Sequence, residues 1–243
     1  MTSDHIIKSY DEELRRLNST IMQMGGLAEG QLAAAIEAVM KRDSALAARV
    51  VEGDAQVDRL EQDVDGLVVR LLALRQPMAR DLREILAALR IASDLERICD
   101  YAANVAKRSI VLNQSPPVRP VYTLPRMVKL AQALTKDVLD SYVARDADKA
   151  LIVWARDEEL DEMYSSLFRE LLTYMMEDPR NITACTHLLF MAKNVERIGD
   201  HATNIAETVY FLVNGTPLTQ ARPKRDSSNQ AVAPPAGGRS EPS

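Results

Sequence analysis

The chain carries one twelve-residue pattern twice, one hundred residues apart. Leu95 to Ala106 (LERICDYAANVA) aligns with Val195 to Ala206 (VERIGDHATNIA), with seven identities in twelve positions. The surroundings repeat as well. Asp43 pairs with Asp146, Asp54 with Asp157, Val57 with Leu160 and Asp58 with Asp161, all at an offset of 103, and the turn prolines Pro77 and Pro179 are 102 apart. Helices, caps and motifs recurring in the same order mark a duplicated structural unit, which restricts the fold to two similar halves.

Each half reads as three long helices. The first 112 residues hold a single proline, Pro77, and few turn dipeptides, which argues against a sheet protein with regular turn signals. The pattern predicts helices over 8–41, 44–75 and 78–112. Apolar residues of the second, Val57, Leu60, Val64, Leu67, Leu71 and Leu74, are spaced 3, 4, 3, 4 and 3, the stripe of a helix with one buried face. The third carries the stripe Ile91, Leu95, Ile98, Ala102 and Val105. Gly25, Gly26 and Gly30 weaken the first helix by up to ~1 kcal/mol each relative to alanine, pointing to a bend or a close helix contact.

Four prolines between Asn113 and Pro125 (Pro116, Pro117, Pro120 and Pro125) cannot lie in a helix interior and separate the halves. The second half is predicted as helices over 126–144, 147–176 and 181–213, with the stripe Met191, Val195, Ile198, Ala202 and Ile205. Asp43 and Asp146 are the expected N-caps after equivalent Arg-Asp breaks, and Asn214-Gly215 the final stop. Long helices with short connections pack antiparallel as bundles. The fold class is therefore all-α: two tandem three-helix bundles, residues 1–115 and 116–220, related by an internal repeat. Residues 221–243, rich in Pro, Ser, Ala, Gly and Arg, cannot bury a core and read as a disordered tail.

The net charge of −5, with basic and acidic residues interspersed, argues against a nucleic-acid partner, which calls for a basic patch or a domain pI above ~9. Cys99, Cys185, His5, His187 and His201 form no CxxC, HExxH or CxxH pair, so a thiol or zinc-finger site has no support. The first residues lack a basic stretch followed by an apolar run. No apolar stretch approaches the ~20 residues that span a bilayer. The expectation is a soluble, cytoplasmic protein that inserts in no membrane and reaches a membrane complex only through another protein.

Four acidic pairs stand at i, i+4: Asp54/Asp58, Glu96/Asp100, Asp157/Asp161 and Glu196/Asp200. Each pair shares a helix face and repels by a few tenths of a kcal/mol unless neutralised. If the second and third helices of a half are antiparallel neighbours, two pairs meet. Four carboxylates in one patch form a hard-oxygen cation site. Glu96 and Asp100 lie nearly opposite the centre of their helix's apolar stripe, so they are expected to face outward, with any metal on the bundle surface. A core di-iron centre uses Glu-x-x-His pairs, and none occurs here. The plainer alternative is a solvated acidic face neutralised by Arg97 and Arg197. Asn104 and Asn204 continue the stripe as secondary ligands, amide bridges or plain surface residues. His201 points about 100° from Asp200 and aligns with Tyr101, outside a repeated site. A metal-dependent hydrolase would need a nucleophile or base beside the cation, and the sequence offers no such constellation. A purely structural bundle is the third reading.

Glu96-Arg97-Ile98-Cys99-Asp100 and Glu196-Arg197-Ile198-Gly199-Asp200 resemble the paired E(D)xxxD signatures of the PhoU family, accessory and regulatory proteins of bacterial phosphate-specific ABC transport. Gln76 to Arg83 (QPMARDLR) is similar to the segment that opens the family's third helix, and the resemblance covers roughly residues 5–215. It implies two similar three-helix bundles, a homodimer and no catalytic residues. It implies a negative regulator of the phosphate-starvation response and of phosphate uptake. As an adaptor, such a protein would link the ATPase subunit of a phosphate ABC transporter to a membrane sensor histidine kinase, peripheral at the inner membrane through these partners. It also implies divalent or trivalent metal ions as cofactor, with iron, zinc and magnesium as candidates. Carried over by position, the ligands are Glu96, Asp100, Glu196 and Asp200, with Asp54, Asp58, Asp157 and Asp161 facing them. Cys99, which stands where the second copy has Gly199, is expected to point away from the acidic stripe. The tail lies outside the resemblance and is assigned no role.

Overall fold

The computed structural model describes residues 2–75, 77–117, 123–220 and 222. These residues form α1 (Thr2–Lys41), α2 (Ser44–Arg75), α3 (Ala79–Leu112), α4 (Leu124–Ala144), α5 (Ala147–Glu177) and α6 (Ile182–Asn214), with a 3-10 turn at Pro179–Asn181. The helix pattern is the predicted one. The α1 helix begins earlier than expected, and α4 takes Pro125 into its first turn, where the missing N–H has no helical partner to lose. Pro120 and the bulk of the proposed tail, 221 and 223–243, lie outside the described residues.

The duplication extends to turn geometry. Arg42 and Arg145 close α1 and α4 with left-handed φ of 55° and 54°. Asp43 and Asp146 follow, and their carboxylates accept hydrogen bonds from the backbone N–H of Leu46 and Lys149, both at 2.9 Å. These are the predicted caps. A left-handed residue with a β-carbon costs roughly 1–2 kcal/mol, and each arginine returns contacts from that position. Arg42 donates to the carbonyls of Asn113 and Ser115 at 2.6 and 2.5 Å. Arg145 donates to Glu84 Oε1 at 2.5 Å and lies over the Tyr142 ring. Both turns are thereby tied to α3.

The two units lie side by side through α3 and α6, which run antiparallel. Arg90 sits over the Phe211 ring, Asp94 meets Asn204, and Arg108 sits over the Phe190 ring. The repeat equivalents Tyr101 and His201 meet with ring centroids 5.6 Å apart, marking an approximate twofold axis between the halves. The α3 stripe from Ile91 to Val105 and the α6 stripe from Met191 to Ile205 are fully buried, so one hydrophobic core runs through both units. The end of the α2 stripe differs: Leu74 is 65% exposed. Gly25 serves a close helix contact within an unbroken α1, for a β-carbon there would lie 2.5 Å from Leu139 Cδ1 of α4.

Candidate functional site

The acidic pairs of each unit meet across antiparallel helices. In the first unit α2 brings Asp54 against Asp100, close enough for each to act on the other's charge. In the second, α5 sets Asp157 beside Gly199 and shares a bound guanidinium with Asp200. We call these the first and second seams.

The expectation that Glu96 and Asp100 face outward is corrected in part: Asp100 stays 34% exposed and Asp58 is exposed, while other carboxylates of the pairs are covered. The Glu96 side chain is 17% exposed, Glu196 6% and Asp157 2%, and Asp161 is buried too. A helical wheel with one apolar stripe assumes one packing direction, whereas α3 is flanked by α1, α2 and α6, and α6 by α3, α4 and α5. The face opposite the main stripe therefore meets another helix.

Burial dominates the electrostatics of the first seam. It pushes the Asp54 carboxyl up to about 6, with Asp100 and Asp58 adding repulsion and Lys107 opposing. Glu96 is pushed up to about 7 by burial and then Asp100, against Arg97. Arg97 pairs with Asp100 at 3.3 Å and lies 3.6 Å from Glu96. Glu61, one turn beyond Asp58, is also raised by burial while Ser93 hydrogen-bonds it. Cys99 does not point away from this group. It is fully buried, and burial followed by Asp54, Glu96, Asp100 and Asp58 pushes its thiol above the usual range. The thiol is thus held in its protonated form, unsuited to nucleophilic work.

The second seam is neutralised differently. Lys193 pairs with Glu196 Oε1 at 2.9 Å and lies over the Tyr164 ring. Glu196 is nonetheless pushed up to about 7 by burial, and its Oε2 is buried without a hydrogen-bond partner. Arg222, beyond the last helix, donates to Asp157 Oδ2 from Nη2 at 2.7 Å and Nε at 3.2 Å. The same Nη2 lies 2.8 Å from Asp200 Oδ1. Burial of Asp157 outweighs this pairing and leaves its carboxyl raised.

Several polar residues of the motif serve the contact between units instead. Arg197 does not neutralise the second seam, because its guanidinium lies 5.7 Å from the centroid of the Tyr101 ring. Asn204 donates to Asp94 at 3.3 Å, and His201 Nδ1 lies 2.8 Å from the same carboxylate oxygen. Asn204 and His201 thus both meet Asp94 of the other unit. Glu61 and Lys193 were missed although both stand one turn from a motif acid. Arg222 had no signal in the sequence, because chain after a helix stop carries no register.

Among the described residues no group of three or more His, Cys, Asp and Glu side chains stands ready to hold a metal ion. The donor chemistry still fits a hard cation. Asp54 and Asp100 face each other with like charge, which helps raise the Asp54 carboxyl, and Glu196 Oε2 is an orphaned buried acceptor. Carboxylate oxygens in that condition suit hard, oxygen-seeking ions.

Residues 21–109 and 124–209 each match the family model described as PhoU domain. The phosphate-specific transport system accessory protein PhoU homolog of Caulobacter vibrioides is 52% identical over 229 residues, 94% of this chain and 100% of that protein. The homolog of the same description from Xylella fastidiosa is 56% identical over 225 residues, 93% of each chain. Among solved structures, PhoU from Pseudomonas aeruginosa superposes with a TM-score of 0.83 at 41% identity, covering 85% of this chain and all of that one. The phosphate transport system regulatory protein PhoU from Streptococcus pneumoniae superposes at 0.80 with 27% identity, covering 87% of this chain and all of that one.

Proposed function

This chain belongs to the PhoU family, and from that premise we propose that it is an accessory protein of phosphate-specific transport that represses the phosphate-starvation response and restrains uptake. The observation that carries the reading is end-to-end similarity: the alignment at 52% identity covers the whole of a relative described as a phosphate-specific transport system accessory protein. The protein acts by binding rather than turnover. It bridges the ATPase subunit of a phosphate transporter and a sensor histidine kinase, as a cytoplasmic homodimer. No described helix is long and apolar enough to cross a membrane, which supports contact with a membrane complex through partners. An adaptor of this kind moves a kinase equilibrium only by its differential affinity for the kinase's two states.

The seams take part as cation sites. Asp54, Asp58, Glu96 and Asp100 would hold an ion in the first, and Asp157, Asp161, Glu196 and Asp200 in the second, with iron, zinc and magnesium as candidates. A bound cation would supply positive charge to carboxylates that otherwise repel one another across two helices.

Deleting the gene tests the regulatory reading. Starvation genes are expected to switch on in high phosphate, and the restored protein is expected to capture the transporter ATPase and the kinase from phosphate-replete cells. Normal repression in the deletion strain would overturn it.

A further inference from the structure

We propose that Arg222 is a tethered counter-cation that closes the second seam against divalent cations, leaving the first seam as the open one. The inference rests on the reading that the seams accept cations, and it adds an inequality between them.

Arg222 lies beyond α6 and outside both stretches that match the PhoU domain. Gly215 turns the chain with a φ of 75°, and Leu218 then packs against the core, bringing the chain back onto the bundle. The guanidinium reaches an α5 carboxylate, Asp157, and an α6 carboxylate, Asp200, at 2.7 and 2.8 Å. Their repeat counterparts, Asp54 and Asp100, face each other across α2 and α3, and Asp100 is paired with Arg97 of its own helix at 3.3 Å instead of with a residue from beyond the bundle.

The chemistry makes this more than a surface ion pair. Asp157 is 2% exposed and Arg222 17%. A buried carboxylate without a partner is strongly disfavoured, and arginine presents its donors in a fixed fork suited to carboxylates. A divalent ion on Asp157 Oδ2 and Asp200 Oδ1 would need the oxygens that Arg222 already uses. Nearby substitutions point the same way. Lys193, paired with Glu196, stands where the first repeat has Ser93, and Tyr164 stands where it has Glu61. The second seam thus has two built-in cations, both better covered than the 55% exposed Arg97 of the first, and it lacks a carboxylate that the first possesses. Loading the second seam requires the chain beyond α6 to leave it, which couples cation occupancy to the position of that segment.

Calorimetric titration of the metal-free full chain with Mn²⁺ tests the proposal. Wild type is compared with Arg222→Ala, Arg222→Lys, a chain ending at Gln220 and the double variant Arg222→Ala/Asp157→Asn, after circular dichroism has shown each to be helical. Arg222→Ala and the shortened chain should gain a second site or bind about tenfold tighter, the factor expected if the open state is populated about a tenth of the time. Arg222→Lys should gain less, and Asp157→Asn should cancel the gain. Identical isotherms for wild type, Arg222→Ala and the shortened chain would overturn the proposal while leaving the seams as cation sites. If no variant binds Mn²⁺, the cation reading itself falls and this inference falls with it; the regulatory reading is tested separately by the deletion.

Discussion

Leu160 fills the space that a side chain at position 199 would need. A β-carbon on Gly199 would lie 2.5 Å from Leu160 Cδ2 and 3.0 Å from Asp157 Oδ1. In the first repeat the corresponding residues are Val57 and Cys99, so bulk has moved from one helix to the other. Volume-conserving exchanges are tolerated in a packed interior far better than one-sided changes.

Gly199→Cys should therefore destabilise the protein by about 1–3 kcal/mol, the usual range for overpacking. Adding Leu160→Val, which copies the first repeat, should recover part of that loss. Urea denaturation of the two single variants and the pair reads the coupling; strictly additive effects would show that the two positions do not share the space.

Stability should depend on pH with a defined sign. Asp54 is raised to about 6, and Glu96 and Glu196 to about 7, above their ordinary values near ~4 in an unfolded chain. Across that interval the folded state holds protons that the unfolded state has released. The stabilisation is fully present below the unfolded values and is lost as pH rises through 6–7. His187, lowered by burial, works the other way below ~6.5, but it is one group against five raised carboxyls, Glu61 and Asp157 included. The urea midpoint of the metal-free protein should fall between pH 5 and 7.5. In Asp54→Asn the fall should be shallower; an equal or steeper fall would contradict the assignment.

A divalent cation should reverse part of that loss. Mg²⁺ or Mn²⁺ should raise the melting temperature at pH 7.5 more than at pH 5.5, where the carboxyl groups keep their protons. Saturation at one hundred times Kd is worth about 2.7 kcal/mol. Asp54→Asn combined with Glu96→Gln should remove most of the shift, as followed by differential scanning calorimetry.

The contact between units offers a metal-independent test. Tyr142 donates to Asn18 Oδ1, Asn18 donates to Glu84 Oε1 at 3.0 Å, and Arg145 pairs with the same oxygen. Tyr142→Phe should cost about 1 kcal/mol, the net worth of an ordinary hydrogen bond. Glu84→Ala should cost about 2–3 kcal/mol, because it strips a charged partner from the half-buried Arg145. Thermal melts of both variants would check the order, and a larger loss for Tyr142→Phe would refute it.

Local chemistry, readable along the chain, determined a great deal: the six helices, the aspartate caps, the stops and the duplication all follow from spacing and residue type within a few turns. That the acidic pairs of neighbouring helices would meet was also legible, because i, i+4 spacing fixes a face and short turns fix antiparallel neighbours. Only tertiary structure decided which faces were covered. A wheel sees one helix at a time, so it set Glu96 in water and turned Cys99 away, whereas a third neighbouring helix closes the seam over both. Arg222 belongs to the same class. Its partners Asp157 and Asp200 are 65 and 22 positions away in the chain, and no periodicity extends past the end of α6 to announce a contact that exists only because the chain folds back.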